Sequence, residues 1–118
     1  MTALRIAALF GFLAVALGAF GAHGLHPTLA ANNRVATWET GAHYHLIHSV
    51  VMLAIALALP AEAATPLAFW FFVAGVTIFS GTLYILSVTN VGWWGAITPI
   101  GGVCLLIGWA LLAFRGLK

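Results

Sequence analysis

Four stretches of mostly apolar residues constrain this chain more than any other feature. A helix that crosses the hydrocarbon core of a bilayer needs about 20 such residues. The stretches cover residues 2–22, 34–59, 66–89 and 93–114. Short connections join them, which is typical of helices that alternate in direction. We therefore predict an all-α fold, with a single transmembrane domain over residues 1–118 whose four spans form an up-down-up-down helix bundle.

Charge is too scarce for a soluble protein of this size. Charged residues make up 5% of the 118 residues, whereas soluble domains contain about 25%. Glu39 and Glu62 are the only acidic residues. Such a chain could not cover a water-facing surface, so we expect the lipid bilayer to surround it. The formal net charge of +2, carried by scattered residues, argues against a nucleic-acid partner.

Basic residues near the span ends predict the orientation, because Lys and Arg are enriched on the cytoplasmic side of a membrane. Arg5, Arg115 and Lys118 lie on the side of both termini. Arg34 alone lies on the other side. Both termini are therefore expected in the cytoplasm. Three tryptophans are expected to form an aromatic belt at the outer interface: Trp38, Trp93 and Trp94.

Small residues recur along one face of the first and of the last predicted span, and a further glycine lies in the third. Small side chains allow neighbouring helices to approach closely. The glycines expected at helix contacts are Gly11, Gly18, Gly81, Gly101, Gly102 and Gly108. Packing within the chain is the simplest interpretation. The alternative is contact with a second copy of the chain or with another subunit of a larger membrane complex.

Polar residues concentrate in residues 38–49, WETGAHYHLIHS, within an otherwise apolar chain. At about 100° per residue, His45 and His48 share one face of the second span, whereas Glu39 and His43 point elsewhere. A polar side chain near the bilayer midplane strongly prefers the protein interior to lipid. We therefore expect His45 and His48 to face the centre of the bundle.

The third span carries a matching polar stripe at helical spacing. Measured along the helices, Ser80 and Tyr84 reach about the depth of the two histidines. His23 ends the first span on the same side of the membrane. These positions predict a polar layer in the outer half, and its expected members are Tyr44, His45, His48, Thr77, Ser80 and Tyr84.

Three functions are compatible with this layer. A hydrogen-bond network could hold the bundle or a partner in register. Alternatively, His45 and His48 could bind a metal ion or haem iron, with His23 or Tyr84 as a third ligand, because imidazoles are common ligands for these metals. A lipid-binding protein or an accessory subunit is the third interpretation. Aspartate is absent, which excludes a Ser-His-Asp triad, and we lean towards a non-enzymatic protein.

Four motifs occur in order along the chain: GAFGAHGL at residues 18–25, YHLIH at 44–48, FSGTLY at 79–84 and TPIGG at 98–102. With them the chain resembles domain-of-unknown-function family 423, a family of small inner-membrane proteins. The resemblance covers essentially the whole chain. It implies a four-span protein of the bacterial inner (plasma) membrane and no particular activity.

The family pattern, mapped onto this chain, includes most of the polar layer. It picks out His23, Tyr44, His45, His48, Ser80, Gly81, Tyr84, Pro99, Gly101, Gly102 and Trp109. His43 stands where members of the family often carry Gln, which argues against His43 as an essential ligand.

Overall fold

The structure, a computed structural model, describes residues 2–118 and contains no strand over that range. Its helices are α1 (Ala3–Ala22), α2 (His26–Ala31), α3 (Val35–Ala58), α4 (Leu67–Thr89) and α5 (Trp94–Arg115). All except α2 are long and apolar enough to cross a membrane. The prediction of an all-α membrane fold with four spans is therefore confirmed. Each span begins and ends within one residue of its predicted limits.

The short helix α2 occupies the connection between the first two spans. Pro27 lies in its first turn, where the missing backbone N–H removes no helical hydrogen bond. Leu29 is completely buried and anchors this helix to the bundle. Asn33 follows with a φ of 57°, a left-handed conformation that Asn tolerates better than most residues. The connection is therefore an ordered part of the fold.

The spans pack in chain order, with α1 on α3, α3 on α4, and α4 on α5. No Cα atom of α1 or α3 comes within 8 Å of a Cα atom of α5. The expected bundle is thus not closed: α5 packs against α4 alone and leaves a gap towards α1 and α3. Because α3 and α5 are not in direct backbone contact, any coupling between them depends on side chains.

The apolar core lies towards the end of the bundle that carries both termini. Its largest members are Met52 of α3, Phe69 and Phe72 of α4, and Leu105 of α5, and α1 contributes Ala7. Both phenylalanines and the methionine are fully buried. This packing leaves the other half of the bundle for the polar side chains.

Two glycines of α5 allow this helix to lie close to α4. A Cβ atom on Gly101 would overlap the backbone of Phe79. One on Gly108 would lie 2.8 Å from the ring of Phe72, closer than side chains pack. Gly75 of α4 makes the converse contact with a leucine of α5. These three positions therefore require the absence of a side chain.

The structure differs from the packing expectation at three other glycines: Gly11, Gly18 and Gly81. A Cβ atom at any of them would meet no atom within 4 Å. At Gly102 it would meet only the Phe79 ring at an ordinary 3.8 Å. Helical periodicity identifies a face of small residues, but it does not determine whether a neighbouring helix covers that face.

Candidate functional site

His48 uses both of its ring nitrogens inside the protein. Nδ1 lies 2.8 Å from the carbonyl oxygen of Tyr44, one turn earlier in α3. The indole Nε1 of Trp109 in α5 donates to His48 Nε2 over 3.1 Å. A carbonyl oxygen can only accept and an indole N–H can only donate. The geometry therefore assigns His48 as a neutral imidazole with its proton on Nδ1.

His45 lies on the same buried face of α3 but faces other helices. Its Nδ1 shares a hydrogen bond of 2.9 Å with the hydroxyl of Tyr84 in α4. Its ring packs edge-on against Phe10 of α1, with centroids 6.0 Å apart. Among residues 2–118, Nε2 of His45 is the one buried side-chain nitrogen or oxygen without a hydrogen-bond partner. His45 is thus the least satisfied member of the layer, because an unpaired buried polar atom costs free energy.

A close contact between α3 and α4 lies beside these histidines. The Ser80 hydroxyl donates to the carbonyl oxygen of Gly41 over 2.7 Å. A Cβ atom on Gly41 would come within 3.2–3.3 Å of Leu83 and Tyr84 side-chain atoms. Glycine at position 41 therefore lets α4 approach close enough for Ser80 to reach the α3 backbone.

Trp38 does not belong to the expected interfacial belt. Its side chain is only 4% exposed, and its indole nitrogen donates to the carbonyl oxygen of Leu17 in α1 over 3.0 Å. The ring fills the space left by Gly21, where a Cβ atom would overlap it. Trp38 thus joins α1 to α3. Trp93 and Trp94 stack on each other at 4.5 Å where α5 begins, and their interfacial role stays a prediction.

Several expected members of the site lie apart from the buried layer. His23 is exposed and caps the end of α1. Thr77 is exposed and donates to Val73 in its own helix. The Tyr44 side chain is 41% exposed, although its backbone carbonyl holds His48. The layer that the structure brings together therefore comprises the buried His45, His48 and Ser80 and the half-buried Tyr84, and the partly exposed Trp109 completes it through its bond to His48.

The arrangement weighs against the metal-binding alternative. In the part of the chain that the structure describes, no three His, Cys, Asp or Glu side chains form a group that could hold a metal ion. His45 is bonded to Tyr84 and His48 to Trp109, so each imidazole has a different neighbour. An ion at His48 Nε2 would first have to displace the indole N–H.

A second set of polar contacts joins the connection after α2 to the end of α4. The Asn32 amide donates to the carbonyl oxygens of Ser87 and Val88, over 3.0 and 3.1 Å. The Arg34 guanidinium donates to the Asn90 side chain over 3.0 Å. The last carbonyls of a helix lack partners within that helix, so Asn32 caps α4 from outside. Sequence reasoning gave no sign of this contact.

Comparisons with known proteins agree with the fold. The model of a family described as protein of unknown function (DUF423) matches residues 17–102. The UPF0382 membrane protein YwdK of Bacillus subtilis is 40% identical, over 96% of this chain and 94% of its own length.

Two relatives from other bacteria cover a similar share of the chain. The UPF0382 inner membrane protein YgdD of Escherichia coli is 38% identical, over 98% of this chain and 88% of its own length. A UPF0382 membrane protein of Haemophilus influenzae is 44% identical, over 98% and 93%. No solved structure matches the chain. The family model and these relatives together show that the chain belongs to the DUF423 family of membrane proteins.

Proposed function

We propose that this chain is a non-enzymatic membrane protein whose polar layer fixes how its spans pack, so that it presents a rigid helical surface to lipid or to a partner subunit. The observation that carries this proposal is the bonding of His48. Both of its ring nitrogens are used by Tyr44 and Trp109. Neither nitrogen is therefore available as a general base or a metal ligand without loss of the contact between α3 and α5.

The energies of such bonds support a role in specificity more than in stability. Side-chain hydrogen bonds between helices contribute about 0.6 kcal/mol on average in membranes. The layer has three between spans: His45 with Tyr84, Ser80 with the α3 backbone, and His48 with Trp109. Together they contribute about 2 kcal/mol. They select one relative rotation of α3, α4 and α5 among several that apolar contacts alone would allow.

A double variant tests this role against the metal or haem alternative. We expect His45→Leu with His48→Leu to remain helical and membrane-inserted, to lose stability, and to have the same metal content and visible absorbance as the unmodified protein. Metal analysis and spectroscopy of gently purified protein measure the outcome. His43→Leu is the matched control, because His43 is exposed on the same helix. A stoichiometric metal or chromophore that disappears only in the double variant would overturn the proposal.

We also propose that the protein lies in the inner membrane with both termini in the cytoplasm. The distribution of Arg5, Arg115 and Lys118 against Arg34 supports this orientation, and the relative YgdD is named as an inner membrane protein. A fluorescent reporter that matures only in the cytoplasm should be bright at the C-terminus. Alkaline phosphatase, active only outside the cytoplasm, should be inactive there. A dark fluorescent reporter and an active alkaline phosphatase at the C-terminus would instead place that terminus outside the cytoplasm.

A further inference from the structure

A groove remains between α3 and α5, where the two helices do not pack directly. Its volume is about 440 Å³. Tyr44 and His48 line it from α3, Phe79 from α4, and Gly102 and Trp109 from α5. The missing side chain at Gly102 helps to keep this space open.

The depth of the groove determines what can reach it. On α5 it extends from Pro99 to Trp109, which is about 15 Å of helix. That length is about half of the 30 Å hydrocarbon core of a bilayer. All of its lining residues belong to membrane-spanning helices. An occupant must therefore enter sideways from the membrane.

The length of the groove favours a hydrocarbon chain, because an acyl chain of one leaflet also extends over about half of the 30 Å hydrocarbon core. A single acyl chain is much narrower than a helix and can lie along the rings of Phe79 and Trp109.

One polar group at the groove indicates that the occupant carries a hydrogen-bond acceptor next to its hydrocarbon chain. The Tyr44 hydroxyl forms no hydrogen bond with any residue in the range 2–118, and its side chain is 41% exposed. Side chains of a helix generally lean towards its N-terminus. This lean would bring the Tyr44 hydroxyl towards the membrane surface at which α3 begins, and so towards the ester groups of a phospholipid. His48 offers the occupant no such bond, because both of its nitrogens are already used.

We propose that this groove binds one phospholipid molecule from the leaflet at which α3 begins. One acyl chain lies along Phe79, Gly102 and Trp109, and an ester carbonyl oxygen accepts a hydrogen bond from the Tyr44 hydroxyl. The site goes beyond the packing role proposed above, since it can be blocked at Gly102 without removing a hydrogen bond of the polar layer.

Photo-crosslinking in nanodiscs of phosphatidylethanolamine and phosphatidylglycerol tests the site, with a diazirine placed midway along one acyl chain. In the unmodified protein we expect the label on peptides of α3 and α5 at the groove. Gly102→Leu should lose nearly all of this labelling, because its side chain fills the groove. Gly81→Leu is the matched control, since a Cβ atom there meets no atom within 4 Å and Gly81 does not line the groove. Labelling of Gly81→Leu should equal that of the unmodified protein.

Two further variants keep the test decisive. Val103→Trp fills the groove from its exposed rim and should also abolish labelling, which covers the case in which Gly102→Leu folds poorly. Tyr44→Phe keeps the ring and removes the hydroxyl, and should weaken lipid retention in native mass spectrometry by about threefold, the average effect of one hydrogen bond in a membrane.

Labelling that is spread evenly over all four spans, or that survives in both filled variants, overturns the proposal. A protein dimer that disappears in the filled variants would instead identify a second copy of the chain as the occupant.

Discussion

His45 and His48 are identical in type, lie three residues apart and are equally buried, yet their surroundings differ. His48 meets a fixed acceptor from its own helix and a fixed donor from α5. His45 meets the Tyr84 hydroxyl, and its ring packs at 82° to the ring of Phe10 in α1. A hydroxyl can donate or accept, so it does not select the tautomer of His45. At the residue scale, the layer therefore has one rigid member and one adaptable member.

Removal of the indole donor tests the rigid member. We expect Trp109→Phe to lower the free energy of unfolding by about 0.6–1.7 kcal/mol, because it leaves His48 Nε2 without a partner at membrane depth. Reversible unfolding in mixed micelles measures the change. Trp70→Phe is the control, because Trp70 is 45% exposed against 46% for Trp109 and donates no hydrogen bond in the described chain. Equal losses in both variants would show that ring size, and not the bond, explains the effect.

The loss of stability when a glycine of the spans is replaced with alanine should depend on the space beside that glycine. Gly101→Ala places a Cβ atom against the backbone of Phe79, and backbone atoms cannot rotate away. We expect it to destabilise the fold by about 1–3 kcal/mol, the usual cost of overpacking. Gly18→Ala has open space and should change stability by less than about 0.5 kcal/mol. Thermal unfolding of the two variants in the same detergent makes the comparison, and a larger loss at Gly18 would contradict it.

At the scale of the elements, the ends of the helices depend on residues outside them. The C-cap residue of α4 is Asn90, whose φ of 55° is left-handed, and the carbonyls of Ser87 and Val88 are capped by Asn32. The N-cap of α1 is Thr2, whose hydroxyl accepts from the backbone N–H of Arg5, as is typical of this position. The Thr2 cap is local and readable from the sequence. The cap of α4 comes from a residue 55 positions earlier in the chain.

The cap of α4 can be removed with an isosteric change. Asn32→Asp keeps the shape of the side chain but loses both donated hydrogen bonds and places a negative charge at the negative end of the helix dipole. We expect a loss of about 1–2 kcal/mol in unfolding free energy, and faster amide exchange in the last turn of α4. Asn33→Asp is the control, since Asp also tolerates the left-handed conformation found there. No difference between the two variants would mean that Asn32 does not cap α4 in the membrane.

At the scale of the whole molecule, the four spans are unequal. Of the long helices, α1 contacts α3 alone, whereas α4 packs against both α3 and α5. Three residues of α1 are buried, against ten of α4. α1 is attached to the bundle by Ala7 in the apolar core and, at the opposite end, by the Trp38 indole and the close fit at Gly21. α1 and α5 are therefore the outer helices, each packed against one other span, and α3 and α4 lie between them.

Hydrogen exchange should reveal this difference. Local opening requires less free energy where fewer contacts are broken, so we expect backbone amides of α1 to exchange faster than those of α4 in lipid nanodiscs. Mass spectrometry of peptides from the two helices measures the rates. Trp38→Phe should accelerate exchange in α1 more than in α4, because it removes the bond to Leu17 but leaves a ring to contact Tyr84. Equal protection of α1 and α4 would contradict the proposed order of attachment.

The membrane class, the four spans and the face of α3 that carries His45 and His48 could be predicted from the sequence. Span length and helical periodicity are local properties, and the bilayer imposes the same length on every chain that crosses it. The groups that complete the layer depend on how the helices pack. Trp109 lies 61 residues from its partner His48, and Trp38 lies 21 residues from Leu17. An amphipathic indole suits both a membrane interface and a buried hydrogen bond, so its place depends on which backbone comes within reach when the helices pack.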